Sequence, residues 1–567
     1  MFLTVPGTVK TLAADVGGAV SPAVVYTPMA SRATTVRDQT FDLLRRRGLT
    51  TLFANPGSTE VAFLTGLPDD FTFVLGLHEG TVVGMATGHA IGRREPSLVL
   101  LHTTAGLGNA VSALATARVN RAPLVVLVGQ QDRRHLSYQP FLAGKLAGLA
   151  GEYPVAVEQP VTAQDVPAAI ERAYHAAATW HGPALVIVPM NDWSEPADEE
   201  REPAAAVGTV HRAAAAAPEA IDALAAFLEE AEGPALVVGA GADDPETWSA
   251  LVELAERLVL PVFQETFGAR AGFPQDHPLY LGTLPADRPR LRERLAPYDT
   301  LLVVGAPVFR QSGFAPGRLA AEGTRIAVVS DDPEEIHRSP AALALLAPPA
   351  AVCRELAVRL PARDAAPPEP LVVPPGPDPP GPGEPLTASH VLAALAERLP
   401  EDTIVQEEAP VDRPELTGRL AARRSLGYLS AAQGGLGFAL PGSAGLRMAL
   451  PNRPIVAVVG DGSAIYQIQA VWSAVHYNIG AVFVVLSNGG YAVMDVLAEL
   501  HGGSGPWPGF GEIDLAAVAR GFGCPARRIT TYDELTTTLD EVVPTLSDRT
   551  EPLLLDVVIE PTQTFNY

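Results

Sequence analysis

Cysteine is nearly absent from this chain of 567 residues, which contains only Cys353 and Cys524. Two lone cysteines cannot form a disulfide framework or a cysteine-rich metal cluster, and they are typical of a reducing cytoplasm. Long apolar runs are also missing, since no stretch reaches the roughly 18 residues needed to span a membrane. Residues 1–28 lack the basic and apolar regions of a signal peptide. The sequence therefore favours a cytoplasmic location without a membrane partner.

Positive charge is scarce as well. The 40 Lys and Arg residues face 64 Asp and Glu residues, which gives a formal net charge of −24 and a pI near 4.9. Nucleic acids attract basic surfaces, so this balance argues against a nucleic-acid partner. The apolar content of 47% and the mean hydropathy of +0.16 suit an α/β enzyme with buried parallel strands. The length allows three or four domains, each with its own core.

Helical and β-like segments alternate in three blocks, which predicts parallel sheets with helices on both faces. The predicted domains cover residues 36–200, 210–360 and 387–567. The clearest strands of the first two are Thr51–Ala54, Phe73–Leu77, Ser97–Leu101, Pro123–Val128, Pro183–Val188, Pro234–Val238, Thr300–Val304 and Arg325–Val329. The proline-rich stretch 361–386 predicts an extended linker. Residues 1–35 are expected to be a disordered extension, or in part to precede a natural start at Met29.

Two polar, glycine-rich turns follow apolar runs in the third block. The first run is Ile455–Val459, and the turn after it contains Asp461, Gly462 and Ser463. The second run is Ala481–Leu486, and the turn after it contains Asn488, Gly489 and Gly490. Mg²⁺ prefers oxygen ligands and usually shares them with phosphate. Glycines let the backbone approach a phosphate, and a helix that follows points its N-terminus at it. The pair of turns predicts a magnesium and diphosphate site, although GDGS alone is equally typical of a plain strand-to-helix turn.

These turns resemble the cofactor motif of thiamine-diphosphate enzymes, in which GDG is followed at a set distance by an asparagine. Further motifs resemble the benzoylformate decarboxylase family in order and spacing: NPGSTEVAFL at 55–64, LHEGTVVGMATGHA at 77–90, LHTTAGLGNA at 101–110, VGAPVFR at 304–310, QGGLGFALPG at 433–442 and GDGSAIYQ at 460–467. The resemblance implies an α/β fold of three doubly wound parallel-sheet domains, called pyrimidine-binding, middle and diphosphate-binding. It also implies thiamine diphosphate and Mg²⁺ as cofactors, and a homodimer or homotetramer with intersubunit active sites.

The resemblance assigns a role to each matching residue. Glu79 would hydrogen-bond the pyrimidine N1′ of the cofactor, Ser58 would orient the carboxylate of a 2-oxo acid, and His102 would protonate or position the intermediate. The other assignments are Gly434 for the 4′-amino group, Leu436 for the bent cofactor shape, Gly462, Ser463 and Tyr491 for the diphosphate, and Asp461, Asn488 and Gly490 for Mg²⁺.

Each of these residues also has a purely structural interpretation. A glutamate at a helix start is favoured by the helix dipole, and a serine is common in a Pro-Gly-Ser turn. His102 follows an apolar run and could be an ordinary core histidine, as Leu436 could be an ordinary core leucine.

Departures from the family pattern bear on the reaction. Ser312 stands where the family has a second active-site histidine, and a hydroxyl cannot relay a proton near neutral pH as an imidazole does. His135 is a candidate substitute. Pro410 and Val411 stand where small hydroxyl residues are usual, and the expected pocket positions are apolar: Val493, Met494 and Leu497. The pocket is therefore expected to be apolar but reshaped, which leaves the acyl group open.

Four functional interpretations stay open. The first is non-oxidative decarboxylation of a 2-oxo acid with an apolar acyl group to an aldehyde, through a C2 ylide and an enamine. The second is a carboligase or lyase of 2-hydroxy ketones, which the missing second histidine favours. The third is a non-catalytic cofactor-binding subunit. The fourth is a flavin-dependent relative of the acetolactate-synthase kind, which would use VVGAGADD at 237–244 as a nucleotide-binding turn. A helix-capping turn explains that segment equally well.

Overall fold

The computed structural model describes residues 34–198, 200, 209–211, 215–432 and 434–562. The predicted N-terminal extension lies outside the described residues except for Thr34 and Thr35. Thr35 caps the first helix and pairs with Pro196 in an isolated β-bridge.

The first sheet has six parallel strands in the order β2-β1-β3-β4-β6-β5. The strands are β1 (Thr51–Asn55), β2 (Thr72–Leu75), β3 (Ser97–Leu101), β4 (Leu124–Gln130), β5 (Ala156–Glu158) and β6 (Pro183–Pro189). The α-helices of this block are α1 (Val36–Arg46), α2 (Val61–Leu64), α3 (Glu79–Arg93), α4 (Thr103–Val119) and α5 (Val166–Trp180). Strands β3, β4 and β6 are buried throughout, as expected for a parallel sheet that is covered on both faces.

The second sheet has the order β12-β11-β10-β7-β8-β9, the 3-2-1-4-5-6 order of doubly wound nucleotide-binding sheets. Its strands are β7 (Pro234–Val238), β8 (Val262–Gln264), β9 (Tyr280–Thr283), β10 (Thr300–Val304), β11 (Arg325–Ser330) and β12 (Leu343–Leu346). Its helices are α6 (Pro218–Glu229), α7 (Pro245–Leu258), α8 (Arg288–Leu295), α9 (Pro333–His337) and α10 (Pro349–Arg359). After α10 the chain runs to residue 387 without a helix or a strand.

The third sheet has the order β14-β13-β15-β16-β18-β17, which is the strand order of the first sheet. Its strands are β13 (Ile404–Glu408), β14 (Tyr428–Ser430), β15 (Ile455–Gly460), β16 (Val482–Ser487), β17 (Ala526–Ile529) and β18 (Leu553–Val558). Its helices are α11 (Ala388–Ala396), α12 (Arg413–Arg419), α13 (Ala439–Ala449), α14 (Asp461–Tyr466), α15 (Ala470–His476), α16 (Ala492–Leu500), α17 (Leu515–Gly521) and α18 (Tyr532–Val542). The predicted class, three α/β domains built on parallel sheets, is confirmed.

Helices α3 and α13 join the first and third sheets through a contact that only glycine allows. A Cβ atom on Gly88 would lie 2.0 Å from the carbonyl oxygen of Gly442, and one on Gly445 would lie 1.9 Å from that of Met85. Because the backbones touch at these points, α3 is fixed against the third sheet, and so is Glu79 at its first position.

Both cysteines are buried and free, in agreement with the absence of a disulfide framework. Within the described residues, none of the helices combines the length and the apolar character that a membrane span requires.

Candidate active site

The candidate catalytic residues of the first sheet follow three neighbouring strands. Ser58 comes after β1, Glu79 after β2 and His102 after β3, and these strands lie side by side in the order β2-β1-β3. Parallel strands place their carboxyl ends at one edge of a sheet, where open α/β sheets bind ligands. Sheet order therefore gathers residues that are up to 44 positions apart in the chain.

Glu79 is buried at the first position of α3, with 7% of its surface exposed. Its Oε1 accepts a hydrogen bond from Asn55 Nδ2 at 3.1 Å, and its Oε2 accepts one from Asn109 Nδ2 at 3.0 Å. His78 caps the helix by accepting from the backbone N–H of Gly80. Two amide groups thus hold a buried carboxyl group in one orientation without neutralising it.

His102 lies over Gly57 and contacts a buried acid that the sequence interpretation overlooked. Its Nδ1 is 2.9 Å from Glu60 Oε2 and 3.0 Å from the hydroxyl of Thr59. Ser58, the next residue after Gly57, is exposed, and its hydroxyl makes no hydrogen bond within the described part of the chain. The available signal was the acid two positions after Ser58 in NPGSTE, which becomes visible only when β1 and β3 are known to be neighbours.

Asp461 and Asn488 follow the paired strands β15 and β16. The Asp461 carboxylate accepts from the backbone N–H of Gly462 at 2.7 Å and from that of Gly489 at 2.6 Å. Asn488 accepts from the backbone N–H of Gly490 at 3.1 Å. Asp461, Asn488 and Gly489 line a cavity of about 120 Å³ at the end of the third sheet.

The donors at this cavity suit a hard cation and a phosphate group. Burial raises the pKa of Asp461, and the N–H groups of Gly489 and Gly462 oppose that rise; a nearby cation would oppose it further. In the described part of the chain no three His, Cys, Asp or Glu side chains come together as a metal centre. A metal here would therefore rely on one carboxylate, a carboxamide, backbone carbonyls and phosphate, which is a donor set that Mg²⁺ accepts.

The two glycine turns differ in the space around them. A Cβ atom on Gly462 would lie 2.8 Å from the ring of Tyr491, whereas one on Gly490 would meet nothing within 4 Å. Tyr491 is 39% exposed and packs on Phe510 with ring centroids 5.0 Å apart. Ser463 is buried in the first turn of α14, which begins at Asp461.

Leu436 and Gly434 lie on the turn that leads into α13. Leu436 lines a small cavity together with Gly80 and Asn109, so it lies beside the helix start that carries Glu79. Gly434 is exposed and has φ +69°, a backbone conformation that side chains disfavour.

Glu408 is a second acid that the sequence interpretation missed. It ends β13 and accepts from three successive backbone N–H groups, those of Gly437 at 2.5 Å, Phe438 at 2.8 Å and Ala439 at 2.6 Å. Burial raises the pKa of Glu408 to about 7, against the opposing effect of these donors. The acid therefore fixes the N-terminus of α13 and the turn that contains Leu436.

The residues that depart from the family pattern have exposed or half-buried side chains. Ser312 is exposed in the loop after β10, where its backbone N–H donates to Ala286 O at 3.2 Å. His135 is exposed in the turn after β4. On α16, Met494 is 42% exposed, and Val493 and Leu497 are half-buried.

Comparison with protein families gives three consecutive matches. Residues 34–149 match the N-terminal TPP binding domain of thiamine pyrophosphate enzymes, residues 221–356 match the central domain, and residues 417–557 match the C-terminal TPP binding domain.

Similar proteins match over nearly the full length of the chain. A benzoylformate decarboxylase of Pseudomonas aeruginosa is 38% identical over 536 residues, covering 94% of this chain and 99% of that protein. A putative acetolactate synthase large subunit of Mycobacterium tuberculosis is 30% identical, covering 90% and 96%. Among solved structures, a thiamine diphosphate-dependent 4-hydroxybenzoylformate decarboxylase of Rhodococcus jostii has a TM-score of 0.88 at 35% identity, covering 94% and 100%. A benzoylformate decarboxylase of Polynucleobacter necessarius has a TM-score of 0.87 at 31% identity, covering 94% and 99%.

These matches confirm the resemblance inferred from the motifs, and they agree with the three parallel sheets. Thiamine diphosphate (thiamine pyrophosphate) is the cofactor that names the matching domains. The chain belongs to the thiamine pyrophosphate enzyme family, among the relatives of benzoylformate decarboxylase.

Proposed function

We propose that this enzyme decarboxylates an aryl 2-oxo acid of the benzoylformate type and releases the aldehyde. The observation that carries the proposal is the grouping of Ser58, Glu79 and His102 at the carboxyl ends of adjacent strands β1, β2 and β3. The relatives named as benzoylformate or 4-hydroxybenzoylformate decarboxylases support the acyl class.

The cofactor would be held by groups from both ends of the chain. Asp461, Asn488 and the carbonyl of Gly490 would bind Mg²⁺, and Gly462, Ser463 and Tyr491 would line the diphosphate. Glu79 would hydrogen-bond the pyrimidine N1′, while Gly434 and Leu436 would contact the rest of the cofactor. Bound thiamine diphosphate supplies the electron sink that allows CO₂ to leave.

Two side chains would handle the substrate. The Ser58 hydroxyl would donate a hydrogen bond to the carboxylate and orient it for loss. When the carbon–carbon bond to the carboxylate breaks, a proton from Nε2 of His102 would take the place of the lost CO₂. General acid catalysis of this kind typically contributes about 10²–10⁴-fold to a rate.

A homodimer or homotetramer with intersubunit sites is part of the proposal. Its support is that different domains supply the two groups: the residues that line the Asp461 cavity belong to the third block, whereas Asn55 and Asn109 of the first block hold Glu79. The cytoplasmic location stays a prediction, supported by the free cysteines.

Carboligation is the second candidate function. Ser312 in place of a second histidine would slow protonation and leave more time for an aldehyde acceptor to react. The similarity to an acetolactate synthase large subunit, at 30% identity, also favours it.

The test is CO₂ release by the purified enzyme with thiamine diphosphate and Mg²⁺, across a panel of aryl and alkyl 2-oxo acids. We expect release from aryl acids, and we expect Glu79→Gln to lower it by about 100-fold or more because a positioned acid–base group is lost. Glu171→Gln is the matched control, since Glu171 is also buried in the first block but pairs with Arg47.

Full activity in the Glu79→Gln enzyme would show that Glu79 is not a catalytic residue. The absence of CO₂ release from every acid, with cofactor binding retained by calorimetry, would reject the decarboxylase and leave the carboligase.

A further inference from the structure

A buried carboxylate lies against His102 on the side away from its free nitrogen. Glu60 is 1% exposed, and its Oε2 accepts from the backbone N–H of Gly57 at 2.8 Å and lies 2.9 Å from His102 Nδ1. Its Oε1 bonds the hydroxyl of Thr59. Both oxygens are thus occupied, and one of them faces the imidazole.

The fold leaves space for this acid at one glycine. A Cβ atom on Gly129, in β4, would lie 1.7 Å from Glu60 Oε1 and 2.5 Å from the hydroxyl of Thr59. Gly57 leaves space for the imidazole in the same way, since a Cβ atom on Gly57 would lie 2.5 Å from the ring of His102. Any larger residue at either position would displace the acid or the histidine.

The backbone beside His102 is strained. Thr103 has φ +35°, which is unusual for a β-branched residue, and its buried hydroxyl has no hydrogen-bond partner among the described residues. Strain of this kind is found mainly where function requires a particular side-chain placement.

The contact between Glu60 and His102 determines which imidazole nitrogen carries the proton. An ionised carboxylate only accepts hydrogen bonds, so Nδ1 must be the donor to Glu60. Nε2 makes no hydrogen bond within the described residues, and it is therefore the nitrogen left for a substrate. Glu60 is also the only charged group that the described structure places against the imidazole.

We propose that Glu60 is a positioning residue for the reaction: it accepts a hydrogen bond from Nδ1 of His102 and so leaves Nε2 as the nitrogen that delivers the proton. The proton delivery rests on the proposed decarboxylation, whereas the coupling between the two side chains does not. The proton passes from Nε2 to the carbon that has lost CO₂, and His102 is left neutral, to be reprotonated from solvent.

The test compares Glu60→Gln with the unchanged holoenzyme by two measurements. The first is the rate at which diethyl pyrocarbonate labels His102 as a function of pH, followed by mass spectrometry of the peptide. This reagent attacks an unprotonated imidazole nitrogen. The second is the pH profile of kcat/KM for CO₂ release.

Replacing the carboxylate by an amide makes the imidazolium give up its proton more readily. We therefore expect the labelling midpoint, the pH at which His102 is labelled at half of its maximal rate, to move to lower pH by about one unit or more. The alkaline limb of the pH profile of kcat/KM should move in the same direction. Glu60→Asp keeps the charge, and we expect its profile to lie closer to that of the unchanged enzyme.

Glu171→Gln is the matched control, because Glu171 is a buried acid of the same block that contacts a histidine, His175, at 3.3 Å. It should leave both His102 readouts unchanged. If Glu60→Gln does not fold, Gly129→Ala displaces the same carboxylate and should shift the labelling midpoint in the same direction.

An unshifted labelling midpoint in a folded Glu60→Gln enzyme would overturn the proposal, as would an equal shift in Glu171→Gln. A shifted midpoint in an enzyme that releases no CO₂ from any acid would reject the proposed function but support the coupling.

Discussion

Buried acids at the ends of parallel strands have different partners in this enzyme. Glu60 contacts an imidazole, and Glu79 accepts hydrogen bonds from two side-chain amides. Glu408 accepts from three backbone N–H groups, and Asp461 accepts from two backbone N–H groups. The partners determine whether an acid can act on a proton, orient a neighbour or support a helix.

Glu408 gives a prediction about stability and pH. Its pKa is raised by burial to about 7 in the folded protein, so the folded state binds this proton more tightly than the unfolded state. The stabilisation is complete below the ordinary glutamate pKa and is lost as the pH rises through about 7.

We therefore expect the melting temperature to fall between pH 5 and pH 8, and to fall less steeply in Glu408→Gln, as measured by calorimetric scans across that range. Equal slopes in the two proteins would mean that the Glu408 carboxyl does not titrate there. Asp402→Asn, a change at a half-buried acid near the start of β13, is a control that should keep the slope.

At the residue level, the sequence predicted the groups that lie in local motifs. Asp461 and Asn488 could be chosen because each ends an apolar run with a glycine-rich turn. Glu60 and Glu408 could not, because their partners belong to other strands or to a distant turn. Their roles depend on which strands are neighbours, and a strand order cannot be deduced from hydrophobic periodicity.

At the level of elements, the sequence located most buried strands within one or two residues. Ser97–Leu101 and Thr300–Val304 agree with the structure at both ends. For α4 the sequence pattern predicts a helix over Gly106–Val119, and the helix begins three residues earlier, at Thr103. Gly106 and Gly108 lie inside it.

The contact between α3 and α13 gives a prediction about helix packing. Gly88→Ala places a Cβ atom 2.0 Å from the Gly442 carbonyl oxygen, so the helices must separate. We expect a loss of about 1–3 kcal/mol in the free energy of unfolding, which is typical of overpacking. Thiamine diphosphate affinity should fall as well, because α3 carries Glu79.

Gly521→Ala is the matched control, since Gly521 ends α17 and a Cβ atom there meets nothing within 4 Å. Denaturation and calorimetric cofactor titration should leave it nearly unchanged. Equal effects of the two substitutions would show that the close helix contact is not the cause.

At the level of the whole molecule, the first and third sheets share one strand order and the second has another. The sequence predicted three α/β blocks but not this relationship, because strand order depends on how distant segments pair. The shared order puts Glu79 and Asp461 at the carboxyl ends of two similar sheets. We propose that these two ends, from different subunits, form each catalytic centre.

Subunit complementation tests whether Glu79 and Asp461 of one catalytic centre come from different subunits. Glu79→Gln and Asp461→Ala chains, each inactive alone, are co-expressed with different tags, and doubly tagged oligomers are assayed for CO₂ release from an aryl 2-oxo acid. A mixed dimer with intersubunit sites has one intact site and one doubly altered site, so we predict about half of the unaltered activity in the selected mixed dimers. Both chains must bind each other in the control pull-down. Mixed oligomers that form but remain as inactive as either parent would contradict the proposed intersubunit sites.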